Sequence, residues 1–154
     1  MSDQVIFTAP SITKLPENIA GRVLVSGSHG GIYPAYLAAR SGVRGVVFND
    51  AGGGCDDAGF ASLPYLDNLG IPAATCSHLS ACIGDGKDMM GRGKISRVNL
   101  VAAQLGSSVG QSVSETAGLM TFAGLRRFEA PVYQESRVCF LETGAEPGVW
   151  GIDS

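Results

Sequence analysis

Charge is scarce in this sequence. Of its 154 residues, 16% are Asp, Glu, Lys or Arg, against roughly 25% in ordinary globular chains. No run of Lys or Arg occurs, and the net charge is −3 with a pI near 5.2. No nucleic-acid partner is therefore expected. Long apolar runs are missing as well. No stretch approaches the ~20 apolar residues of a membrane span, so no membrane partner is expected. No basic segment leads into an apolar one near the start, where Lys14, Glu17 and Arg22 interrupt the chain. A signal peptide is not expected, and a cytoplasmic location is. Cys55, Cys76, Cys82 and Cys139 are too sparse for a disulfide framework and are expected to be reduced.

Glycine is abundant, at 22 residues, about twice its usual share of roughly 7%. Apolar residues make up 45%. Few charges and many small residues suggest a surface covered by another copy, so a homo-oligomer is expected. The length suits a single domain over residues 1–154.

Short apolar segments alternate with helical ones. Val5-Ile6-Phe7-Thr8 has strand propensity within a lead-in that Pro10 and Pro16 keep from being helical. Arg22-Val23-Leu24-Val25-Ser26 reads as a buried strand, followed by a helix over Tyr33–Arg40 that Gly42 ends. Gly45-Val46-Val47-Phe48 repeats the pattern, with a helix over Asp57–Leu69 that Pro64 kinks or splits. Ile71–Cys76 is a third strand. The segment 79–93 reads as a polar, glycine-rich loop able to act as a lid. Ser96 is placed to cap a helix over Arg97–Leu105, and another helix spans Gln111–Phe122. Arg137–Leu141 and Val149–Ile152 read as two final strands. The pattern predicts an α/β fold: a three-layer, Rossmann-like domain with a mainly parallel sheet and a C-terminal hairpin or edge strands.

Ligands of open α/β sheets bind beyond the carboxyl ends of the strands. Here those ends carry Ser28 and His29, then Asn49 and Asp50, then Ser77 and His78. The chain holds only these two histidines, both following a serine at the end of an apolar strand. Histidine titrates near neutrality, which suits acid/base work or metal binding. Gly30 and Gly31 precede a helix N-terminus, where backbone N–H groups can hold an anion. Neither dinucleotide-binding nor P-loop spacing is present. The next loop offers Gly52, Gly53 and Gly54 for close backbone approach to a ligand. Cys55 follows near a helix start, which favours its thiolate, although Asp56 and Asp57 oppose it.

The order Ser28-His29-Gly30, then Cys55 on the next strand's loop, resembles the caspase-like cysteine peptidases. The three glycines before Cys55 and the short spacing from His29 depart from that family. The resemblance implies a Cys–His nucleophilic pair. A metal reading competes. It draws either on Cys76, His78, Cys82 and Asp85, or on His29, Asp50, Asp57 and His78 around a divalent ion.

The expected function is a small-molecule enzyme, a hydrolase of an amide- or ester-type bond in a small polar or carboxylate-bearing substrate. His29 is its expected base, Cys55 a candidate nucleophile, Asp50 or Asp57 the orienting acid, and His78 and Asp85 the groups that polarise or protonate the substrate. Ser28, Gly30, Gly31, Asn49, Gly53, Gly54, Ser77 and Asn99 are expected to bind the substrate. No cofactor is expected, with a divalent metal as the alternative. A metal-dependent hydrolase or lyase and a non-catalytic small-anion module are the other readings.

Overall fold

Five strands form one sheet in the order β1 (Ile6–Ala9), β2 (Val23–His29), β3 (Gly45–Asn49), β4 (Ala73–Cys76), β5 (Ile95–Val98). The computed structural model describes residues 5–125, 132–133, 137–141 and 149–152. β1 to β4 run parallel, and β5 pairs antiparallel with β4. The fold is thus α/β with a mainly parallel sheet. α1 (Ile32–Arg40) joins β2 to β3, and α2 (Ser62–Asn68) precedes β4. After β4 come α3 (Gly86–Arg92), α4 (Leu100–Gln104) and α5 (Val113–Met120). The final strands are β6 (Arg137–Leu141) and β7 (Val149–Ile152), which pair antiparallel as expected. Among the described residues no helix is long and apolar enough to cross a membrane.

The core follows from strand alternation, since successive side chains leave a strand on opposite faces. Leu24, Val46, Phe48 and Ala73 join a cluster with Ala35, Ala38 and Ala39 of α1 and Leu63 and Leu66 of α2. Val23, Val25, Val47, Ala74 and Cys76 join another with Met89 of α3 and Val113, Ala117 and Met120 of α5. Phe48, Leu24 and Leu66 are fully buried, and each such side chain contributes about 1.5–3 kcal/mol.

Three expectations need correcting. The helix expected over Asp57–Leu69 is a 3₁₀ turn (Cys55–Phe60) followed by α2, with Pro64 in the first turn of α2, where a missing N–H costs nothing. The helix expected over Arg97–Leu105 begins only at Leu100. Arg97 and Val98 lie in β5, and Asn99, not Ser96, is the N-cap. Within the expected loop 79–93 sits α3, whose N-cap Asp85 accepts the Asp88 N–H at 2.9 Å. Gly84 donates its N–H to Gly27 O at 2.8 Å. The segment is pinned onto β2 and is not built as a free lid.

Candidate functional site

The carboxyl ends of β2, β3 and β4 set the site. Across them His29 is in register with Asn49, and Asn49 with Cys76. Between Val25 and His29, β2 uses four residues where β3 uses two from Val47 to Asn49. This irregularity re-aims the end of β2, as bulges beside functional sites do.

The loop after β3 carries the first chemical group. Asp50 is buried at 5% exposure. Its Oδ1 accepts the N–H groups of Gly52 at 2.9 Å and His78 at 3.0 Å, and it lies 2.9 Å from Nδ1 of His78. Burial pushes the Asp50 carboxyl up. The N–H groups of Gly52 and His78, the Ser96 hydroxyl and the His78 ring outweigh it and hold the carboxyl below its ordinary value. Asp50 is therefore an anion at neutral pH, and His78 donates Nδ1–H to it. The His78 side chain is 45% exposed, and its Nε2 is left to work on solvent or substrate. A carboxylate bonded to Nδ1 in this way orients an imidazole.

His29 is held differently. Its Nδ1 accepts the N–H of Gly31 at 3.2 Å. An Nδ1 that accepts carries no proton, so the neutral ring keeps its hydrogen on Nε2. Burial lowers the pKa of His29 and reinforces this neutral form. The ring sits over Gly31, where a Cβ would come within 2.6 Å of its Cε1. With Nδ1 accepting, the neutral His29 ring has Nε2–H left to donate.

A cleft of about 410 Å³ opens beside His29. One wall is the start of α1, at Gly31 and Ile32. The other is the loop after β3, at Ala51, Gly53 and Gly54, continued by Ala58, Gly59 and Ala61. Tyr133 closes it and also packs against Tyr33 and Tyr36. The two walls touch at Gly30 and Gly59, where a Cβ on Gly30 would meet Gly59 O at 2.2 Å. Phe60 supports the loop beneath Gly53. Arg97 lies 3.7 Å over the Phe60 ring and reaches Asp57 at 3.3 Å.

The expected site residues divide accordingly. His29, Gly31, Gly53 and Gly54 line the cleft. Asp50 and His78 are not among the lining residues; His78 lies beside Gly52, its Cε1 3.5 Å from where a Cβ on that glycine would sit. Asp57 is taken by Arg97, and Asp85 caps α3. Ser28 turns away, its Oγ accepting the Ile12 N–H at 2.9 Å. Gly30 lies behind the wall, binding Asn49 O and the Ser62 N–H through its backbone. Asn49 is fully buried and braces the loops through Ala51 N and Ala81 O. Ser77 shapes a turn by accepting the Leu79 N–H. Asn99 does not face the site. It bonds Ala73 N, Ile71 O and Ala102 N at the start of β4, the opposite edge of the sheet.

Cys55 is exposed, and its thiol lies 3.7 Å from the Asp56 carboxylate. No hydrogen bond joins it to either histidine among the described residues. Nor do three His, Cys, Asp or Glu side chains gather as a metal site among those residues, so neither proposed ligand set assembles. Sequence reasoning missed Ile32, Ala51, Ala58, Gly59, Ala61 and Tyr133. The run of small residues from Ala51 to Ala61 carried a signal for most of them. Tyr133, remote in sequence, had none. No family model, curated protein or solved structure matches the chain.

Proposed function

We propose that the protein is a hydrolase of an amide- or ester-type bond in a small molecule, using water activated by the Asp50–His78 pair. The observation that carries this reading is the 2.9 Å contact between Nδ1 of a half-exposed His78 and a buried, ionised Asp50. His78 Nε2 takes a proton from water as the oxygen attacks the carbonyl carbon. His29 Nε2–H donates to the oxyanion that forms, as a neutral imidazole can. His78 then returns its proton to the leaving nitrogen or oxygen, the acyl bond breaks, and an acid and an amine or alcohol result. The reading requires one small substrate to reach both groups across about 10 Å, two strand spacings from the chain at His29 to β4. The α/β domain fits a three-layer, Rossmann-like arrangement, which the two apolar clusters on opposite faces of the sheet support.

The test is hydrolysis of a panel of small esters and amides. His78→Gln is expected to lose turnover and Cys55→Ala to keep it. Loss in Cys55→Ala, with an acyl adduct on Cys55 in the wild type, would overturn the water mechanism. Saturable binding with no turnover across the panel would favour the competing reading, a ligand-binding module.

A further inference from the structure

We infer that the cleft beside His29 takes an uncharged acyl compound with a flat, apolar ring, its carbonyl oxygen accepting from His29 Nε2–H. This deepens the hydrolase reading and rests on it for turnover, though not for binding. Among the described residues no Asp, Glu, Lys or Arg side chain lines the cleft. Its walls are glycine and alanine, with Ile32 and Tyr133 as the larger apolar surfaces. Walls of small residues and one aromatic ring suit a ligand ring that stacks. The size of about 410 Å³ lies at the small end of the ~300–1,000 Å³ of small-molecule pockets.

Charge argues in the same direction. Among the described residues the cleft offers a desolvated carboxylate no cationic side chain. Among the described residues Asp57 lies near the wall, its Oδ1 3.5 Å from where a Cβ on Gly53 would sit, and repels an anion, and Arg97 is engaged with Asp57. The N-terminus of α1 would pull on an anion, and it is partly depleted. Of the first N–H groups that a helix leaves free, that of the N-cap Gly31 is spent on His29, and Pro34 has none. A substrate bearing a carboxylate, as the sequence suggested, is therefore the poorer fit. A neutral carbonyl needs one donor, and His29 supplies it.

The test compares benzamide with benzoate, equal in shape and different in charge, at neutral pH. Binding is read from the backbone amide signals of Gly31, Gly53 and Gly54 and from the Nε2 signal of His29. Benzamide is expected to shift these signals saturably and to bind about tenfold tighter than benzoate. His29→Ala is expected to erase the benzamide shifts at the glycines, while His78→Gln keeps them. Benzoate binding as tightly as benzamide, shifts elsewhere on the protein, or no saturable shift with benzamide overturns the proposal. The hydrolase reading stands or falls separately, on turnover of the ester and amide panel.

Discussion

Both ends of His78 are tied to one carboxylate oxygen: its backbone N–H at 3.0 Å and its ring Nδ1 at 2.9 Å from Oδ1 of Asp50. A side chain held at two points cannot swing, so the direction of Nε2 is fixed before any substrate arrives. Asp50→Asn keeps the shape and one acceptor oxygen but removes the charge and adds an NH2 donor, so the His78 tautomer is no longer enforced. Turnover is expected to fall by about 10²–10⁴-fold, with the amide signals of the cleft unchanged. Normal turnover in this variant would remove Asp50 from the mechanism.

The same carboxylate links stability to pH. Its folded pKa lies below its ordinary value. The unfolded chain therefore takes up the proton first as pH falls. The contribution is complete above about pH 4, the unfolded value, and is lost as pH drops through the lowered folded value. Other carboxylates titrate there too, Asp88 at about 2 among them. The informative quantity is thus the difference between wild type and Asp50→Asn. Urea unfolding from neutral pH downward should show that difference shrinking below about pH 4. A constant difference would mean that Asp50 is not preferentially ionised in the fold.

His29 gives the opposite proton a role. Its pKa is lowered by burial, so the folded state resists the imidazolium. Stability from this group is complete above the unfolded value of about 6.5 and is lost as pH falls toward the folded value. Protonation also places a hydrogen on Nδ1, where it meets the Gly31 N–H. Nitrogen-15 shifts of the ring should show a pyridine-like Nδ1 and a protonated Nε2, titrating below about 6.5. A pyridine-like Nε2 would make His29 a base and overturn its donor role.

The mainly parallel sheet was legible in sequence because it rests on local signals, short β-branched runs ended by polar residues and glycines. The roles were not. Whether a histidine accepts or donates depends on one backbone N–H two residues away for His29, and on a carboxylate 28 positions distant for His78. β5 escaped notice because Ser96 and Arg97 separate its two apolar residues and it runs straight into the Asn99 cap. α3 was hidden by Gly86 and Gly91, poor helix formers that tertiary packing overrides.

Asn99 shows how a polar residue can look functional and be structural. Its side chain satisfies the N–H groups of Ala73 and Ala102 and the carbonyl of Ile71, all buried. Asn99→Ala strands these groups without water, at about 1–3 kcal/mol for each unsatisfied one. The variant is expected to lose stability in urea unfolding while KM for any substrate found stays at the wild-type value. A raised KM with unchanged stability would return Asn99 to the site.

Gly31 is where local geometry and chemistry meet. An added Cβ would lie 2.6 Å from Cε1 and 2.8 Å from Nδ1 of His29, so Gly31→Ala must push the imidazole off its perch. Overpacking of this kind costs about 1–3 kcal/mol, and the ring loses the placement that the proposed donor role needs. The expected result is a fall in kcat together with loss of the low-pH titration of His29. Gly118→Ala is the matching control. That glycine lies within α5 with nothing near its absent side chain, and alanine there should stabilise by about 0.4–1 kcal/mol without touching turnover. If Gly31→Ala melts earlier but keeps full kcat and an unshifted His29 titration, the ring's placement over Gly31 serves packing alone.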